Sequence, residues 1–162
     1  MRILIFFIFF FSNAFSDEIP DIKNLVVNKE PKTYDNLSFL NAEKDEVYLN
    51  NFKGKLVMIN FWATWCAPCK EEMPSLDILQ KNLSLDNLKI FPINIGQDNI
   101  ENSKNFFIDL NIKNLEIYFD NPDTLAKTFS LRGIPTTILF NKKGEEFARV
   151  IGSINFNDSK FI

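Results

Sequence analysis

The segment Trp65-Cys66-Ala67-Pro68-Cys69 stands between an apolar run, Leu56-Val57-Met58-Ile59-Asn60-Phe61, and a stretch of helical periodicity. That junction constrains the chain more than any other feature. The run before it is short and rich in β-branched and large apolar residues, as a strand buried on both faces of a parallel sheet requires. After it, Cys69, Met73, Leu76, Leu79 and Leu83 step by three or four and mark one face of a helix over about residues 66–83. Pro74 falls inside this helix, where it removes a backbone hydrogen bond and predicts a kink. The two cysteines therefore sit one helical turn apart at a strand-to-helix turn, close enough to bond without much backbone movement.

The same alternation continues along the chain. Residues 37–40 and 47–49 flank a polar stretch and predict a hairpin, with Glu43-Lys44-Asp45-Glu46 at its solvated tip. Residues 88–95 predict a strand, 102–110 a helix, 115–119 a short strand, and 123–129 a short helix capped by Asn121 or Asp123. Residues 136–141 and 145–151 predict a hairpin turning at Asn141-Lys142-Lys143-Gly144. The order is that of an α/β fold whose mixed sheet ends in an antiparallel hairpin. Residues 17–36 are polar and aperiodic and read as a leader, so the domain is expected to occupy residues 37–162. From residue 155 the chain looks like a helix start capped by Asn157 or Asp158. A last helix is expected to cover Ile138, Phe140, Val150 and Ile151, so it reads as truncated. Otherwise that face is exposed or covered by a partner.

Residues 1–16, MRILIFFIFFFSNAFS, have a positive start, a nine-residue apolar run and small residues at a cleavage position, which is the pattern of a secretory signal peptide. The other reading is an uncleaved membrane anchor, for which the run is only about half of the roughly 20 residues needed to cross a bilayer. The expected location is thus periplasmic, with inner-membrane anchoring if the leader is retained.

Composition narrows the chemistry. The 162 residues contain no histidine, which excludes Ser-His-Asp and Cys-His catalysis and His-based metal sites. Two cysteines cannot build a four-thiolate metal site, and no metal or cofactor is expected. A net charge of −3 gives no basic footprint for nucleic acid. Any chemistry is left to Cys, Asp, Glu, Lys, Tyr, Ser or Thr, and the cysteine pair is the leading candidate. Closing so short a loop constrains the unfolded chain little, so the pair makes a poor structural staple. Cys66, at the helix start, faces unpaired N–H groups and the positive end of the helix dipole, which favour a thiolate. Cys69 lies one turn inside, on the apolar face. Cys66 therefore reads as the attacking sulfur and Cys69 as the resolving one, against the alternatives of a structural bridge or two free buried thiols.

Phe61-Trp62-Ala63-Thr64-Trp65-Cys66-Ala67-Pro68-Cys69-Lys70-Glu71-Glu72-Met73-Pro74 closely resembles the active-site segment of the TlpA/ResA-like thioredoxin-fold proteins, a group of exported thiol-disulfide oxidoreductases. Arg132-Gly133-Ile134-Pro135-Thr136-Thr137 is similar to that family's cis-proline loop. The resemblance spans about residues 37–154, including an insertion from residue 97 to about 120. It implies a thioredoxin-like fold with a cis Pro135 facing the disulfide, with Ile134 and an exposed Trp65 bordering the substrate and Trp62 packed in the core. It also implies oxidised protein substrates, with apocytochrome c the leading guess, and a membrane thiol-electron donor of the DsbD/CcdA type. Plain thioredoxins carry a buried Asp six residues before the attacking cysteine; here Asn60 stands there and cannot titrate. Glu72, three residues past Cys69, is the candidate proton relay, as is a Glu in ResA-like proteins. The competing reading makes Glu71 and Glu72 solvated first-turn acids favoured by the helix dipole. The competing functions are a non-catalytic thioredoxin-fold binding domain and a thiol oxidant or peroxiredoxin-like enzyme, the last lacking a Thr-x-x-Cys motif here.

Overall fold

A computed structural model describes residues 21–85, 87–121, 124–159 and 161. The expected signal peptide and the candidate cap Asp123 lie outside these residues. In chain order the elements are β1 (Leu25–Lys32), β2 (Ser38–Asn41), β3 (Glu46–Tyr48), β4 (Leu56–Trp62), α1 (Ala67–Lys81), β5 (Leu88–Asn94), α2 (Ile100–Asp109), β6 (Tyr118–Phe119), α3 (Thr124–Thr128), β7 (Thr136–Phe140) and β8 (Glu146–Ile151). Among the described residues they form one mixed sheet in the order β1-β8-β7-β4-β5-β6-β2-β3. β4, β5 and β6 run parallel, and β7 pairs antiparallel with β4.

β4 shows why its sequence is apolar on both faces. Side chains alternate across a strand, so Val57, Ile59 and Phe61 enter one core with Phe39, Phe91 and α3's Leu125. Met58 and Trp62 enter the other, with Cys69, Met73, Leu76 and Leu79 of α1 and Phe106 and Phe107 of α2. Asn60 belongs by alternation to the α1 side, a polar residue in an otherwise apolar row. α1 continues through Pro74 as one helix, and its apolar face from Cys69 to Leu79 is buried as its spacing predicts.

Three expectations need correction. The leader is not irregular throughout, because Leu25–Lys32 forms a strand antiparallel to β8, with Leu25 opposite Val150. Tyr34 and Asn28 strengthen this join by donating to Glu146, whose carboxylate is gripped by Arg149 at 2.6 and 2.8 Å. Such bidentate, charge-assisted bonds let a buried acid remain ionised. The strand expected over residues 115–119 is only Tyr118–Phe119. Finally, among the described tail residues there are only turns and bends after Asn155, and no helix starts at Asn157 or Asp158. The four apolar residues assigned to one exposed face are in fact divided between faces. Ile138 and Phe140 pack with Phe129, Val150 packs with Phe156, and Ile151 alone points out. The register explains this, since Ile138 lies opposite Arg149 and Thr137 opposite Val150.

Asp77 of α1 holds the residues leading to β6. Its carboxylate accepts the backbone N–H groups of Lys113, Asn114 and Leu115 at 2.6–3.1 Å, and the Asn114 side chain at 2.7 Å. Asp77→Ala should lower the unfolding free energy by about 2 kcal/mol, through loss of charge-assisted bonds to a loop that cannot otherwise satisfy them. Urea denaturation should show a lower midpoint at unchanged slope; a midpoint equal to that of the parent would show that the loop holds itself.

Candidate active site

β4 ends at Trp62, and Ala63-Thr64-Trp65 carries the chain to the start of α1. Cys66 is the helix N-cap: its N–H donates to the Ala63 carbonyl at 3.1 Å and its carbonyl accepts from Lys70 at 3.1 Å. Its Sγ accepts the Cys69 N–H at 3.2 Å. Pro68 lies in the first turn, where its missing N–H has no intrahelical partner to lose. The backbone therefore directs an unsatisfied helix-end N–H at Cys66 Sγ, which a thiolate would accept more strongly than a thiol. The two sulfurs are joined as a disulfide with the Cα atoms 5.3 Å apart.

Both cysteine residues are buried, Cys66 4% exposed and Cys69 0%. Trp65 is 69% exposed beside them, whereas Trp62 is buried against the rings of Phe106 and Phe107, with centroids 4.6 and 5.5 Å away. The Ile134–Pro135 bond is cis. Ile134 packs against the core cluster that holds both cysteines, and Pro135 is buried at the entry to β7, next to β4. The structure thus joins Cys66 to Cys69, packs Ile134 against the same core cluster and leaves Trp65 exposed.

The competing reading of the two glutamates separates them. Glu71 is exposed, and Glu72 is almost wholly buried. Glu72 Oε1 accepts the Asn60 Nδ2 hydrogen at 2.7 Å, and Asn60 Nδ2 also donates to Thr137 Oγ1 at 2.9 Å from the position directly opposite on β7. Glu72 Oε2 accepts the Ile154 N–H at 3.2 Å. Burial raises the Glu72 carboxyl well above its ordinary value, these two hydrogen bonds offset part of the rise, and the result is a group pushed up to about 7. An acid of that strength can take or give a proton near neutrality. Sequence reading found Glu72 by its spacing from Cys69, but its partners Asn60, Thr137 and Ile154 come from three other segments and no local pattern joins them.

A second carboxylate near the redox loop escaped sequence reading. Asp98 accepts the Thr64 N–H at 3.0 Å and the Thr64 hydroxyl at 2.7 Å. Asp120, by contrast, does the capping work its place before α3 suggests, accepting the Leu125 and Ala126 N–H groups at 2.9 and 3.0 Å. Among the described residues no group of three or more acids or cysteines could hold a metal ion, and no helix is long and apolar enough to cross a membrane.

A thioredoxin-like sheet with a cysteine pair at the β4–α1 turn and a cis-proline before β7 defines a thioredoxin-fold redox protein. The family model for the AhpC/TSA family matches residues 15–145, and the chain belongs to that family. Within it, the chain is similar to the thiol-disulfide oxidoreductase ResA of Geobacillus kaustophilus, 30% identical over 110 residues. The match takes in 68% of this chain and 62% of that relative, so it spans a little under two thirds of the relative's length. Among solved structures it is similar to StoA from Bacillus subtilis, with a TM-score of 0.66, 26% identity, and coverage of 80% of this chain and 97% of that one. It is also similar to the exposed lipoprotein thioredoxin Etrx1 of Streptococcus pneumoniae, with a TM-score of 0.63, 25% identity, and coverage of 74% and 90%.

The buried carboxyl predicts a pH dependence of stability. Glu72 binds its proton more tightly folded, at about 7, than in the unfolded chain, near 4.5. Its contribution is therefore fully present below about pH 4.5 and is lost as pH rises through 7. Glu72→Gln removes this dependence. Relative to the parent, the oxidised variant should gain up to about 3 kcal/mol of stability between pH 4.5 and 8, by the usual conversion of pKa differences. Denaturant titrations at both pH values measure the swing; a pH-independent difference would mean that Glu72 titrates as an ordinary surface acid.

Proposed function

We propose that the protein is an exported thiol-disulfide oxidoreductase that reduces disulfides in partner proteins. The observation that carries this reading is Cys66 as helix N-cap, its Sγ accepting the Cys69 N–H, beside an exposed Trp65 and the cis Ile134–Pro135 bond. In the dithiol form the Cys66 thiolate attacks one sulfur of a partner disulfide. A Cys66–partner mixed disulfide forms and a partner thiolate leaves. Cys69 then loses its proton and attacks Cys66 Sγ, which closes the Cys66–Cys69 disulfide and frees the second partner thiolate. Two electrons pass to the partner, and no group beyond the two thiols is needed.

Glu72 is the relay in this scheme. Its carboxylate accepts the Cys69 proton as Cys69 attacks, and in the reverse direction its acid form returns it. Trp65 and Ile134 offer apolar surface to an extended partner segment, and the backbone before Pro135 can pair with that segment. The thiol-disulfide oxidoreductase name of the Geobacillus relative supports the reaction. The apolar leader supports export, as does the exposed character named for the Streptococcus protein. Oxidised cysteine pairs of apocytochrome c are the proposed substrate class, with electrons arriving from a membrane thiol donor of the DsbD/CcdA type.

Two measurements test this. Incubated with an oxidised peptide carrying a Cys-x-x-Cys-His segment, reduced Cys69→Ser should accumulate a mixed disulfide through Cys66, and Cys66→Ser should form none. The equilibrium reduction potential of the pair should lie nearer thioredoxin's roughly −270 mV than the roughly −120 mV of a strong oxidant. A potential at the oxidising end would reverse the direction, and no mixed disulfide in either variant would leave a binding domain. For the relay, the parent's rate of mixed-disulfide resolution should rise with pH through about 7, because the carboxylate is the competent form. Glu72→Gln should lose that limb and slow resolution at neutral pH on the order of 10²-fold; an unchanged pH profile removes Glu72 from the mechanism.

A further inference from the structure

The loop that delivers Cys66 to the helix end is held from outside by the residues just after β5. Asp98 grips Thr64 with both carboxylate oxygens, one on the backbone N–H at 3.0 Å and one on the hydroxyl at 2.7 Å. Asp98 is itself fixed, since Asn94 Nδ2 donates to its Oδ2 at 2.9 Å from the buried end of β5. The same amide donates to Ser103 Oγ of α2 at 3.3 Å, while Asn94 Oδ1 accepts the Gly96 N–H at 2.8 Å. The Ile95 N–H donates to the Trp62 carbonyl at 3.0 Å. The approach is so close that a Cβ on Gly96 would lie 2.7 Å from Ala63 Cβ and 3.1 Å from Trp65 Nε1. A side chain there would push Ala63 and Trp65 away from the loop.

We propose that Asp98 is a positioning residue for the redox pair, clasping Thr64 so that the turn bearing Trp65 and Cys66 keeps its place while the sulfurs exchange partners. This rests on the reading of Cys66 as the attacking sulfur. The chemistry requires such a fixture. When the Cys66–Cys69 bond opens, the disulfide cross-link between the turn and the first turn of α1 is lost. The Cys69 N–H must still meet Cys66 Sγ for the thiolate to be favoured. Hydrogen bonds along β4 end at Trp62, and the helix begins at Ala67. Between them the clasp joins the turn to β5 and α2, elements outside the segment that carries the two sulfurs. A carboxylate suits the task because it offers two acceptors at once to the paired donors of one threonine. The same clasp sets the position of Trp65, one residue on, and thereby the surface a partner meets.

The test uses the full chain in its reduced form, with iodoacetamide as probe of Cys66 and an oxidised Cys-x-x-Cys-His peptide as substrate. Thr64→Val keeps the shape and the charge of Asp98 but removes the hydroxyl donor; Thr64→Ser restores it. Alkylation of Cys66 at neutral pH and kcat/KM should both fall at least fivefold in Thr64→Val and return to within twofold of the parent in Thr64→Ser. Asp98→Ala should lose as much, and the double variant Thr64→Val with Asp98→Ala should lose no more than Asp98→Ala alone. Parental rates in Thr64→Val, no rescue by serine, or additive losses in the double variant overturn the proposal. Should Thr64→Val fail to fold, Asp98→Asn decides, since it keeps one acceptor and should fall between parent and Asp98→Ala; a parental rate there overturns the clasp. A parent that reduces no peptide, or alkylates at Cys69 first, instead refutes the reading of Cys66 itself.

Discussion

The hydrogen bond from the Cys69 N–H to Cys66 Sγ is the contact on which the rest of the molecule depends. It exists because β4 ends where α1 begins, so that the helix presents its unsatisfied N–H groups and dipole to the residue in the cap position. The sheet keeps that junction fixed. β4 lies between β5 and β7, both of its faces are covered, and its register with β7 brings the cis-proline loop to the same end. The fold thus aims a helix-end N–H at the Cys66 sulfur and holds a second sulfur one helical turn behind it.

On α1, three residues past Cys69, the protein keeps a carboxyl group out of water. An ionised acid in such a place is costly, and two hydrogen bonds do not fully compensate. The outcome is a Glu72 that sits between its acid and its carboxylate near neutral pH. Asn60 matters here by being neutral: an acid at that position would repel Glu72, whereas an amide donates to it and to Thr137. The arrangement costs stability and leaves a carboxyl that exchanges a proton near neutral pH. Structural acids in the same protein are treated differently, with Glu146 and Asp77 each surrounded by several donors.

How much of this was legible in the sequence follows from how local each signal is. The strand over residues 56–61, the helix after Cys66 and the hairpin with Gly144 at its turn are each encoded within a few residues, by a continuous apolar run, helical spacing and a glycine at positive φ. The place of the cysteine pair at the strand-to-helix turn was legible for the same reason. β1 was not, because Leu25-Val26-Val27 is brief, charged residues and Pro31 follow it, and its partner Val150 lies at the far end of the chain. Pro31 is tolerated because β1 is an edge strand. Asp77, Asp98 and Asn60 share this character: each acts on backbone or side chains from a distant segment, so a lone polar residue is all the sequence displays. The pairing of Asp98 with Thr64 emerged only from the distances between them.

The account rests on Cys66 being the ionised, reachable sulfur and Cys69 the protected one. The most direct test is the pH dependence of alkylation of each cysteine in the fully reduced protein, followed by mass spectrometry of the labelled peptide. The account predicts that Cys66 reacts first, with a midpoint below the roughly 8.5 of an unperturbed thiol, while Cys69 stays unlabelled until the protein is unfolded. Equal labelling of both sulfurs, or faster labelling of Cys69, would contradict it.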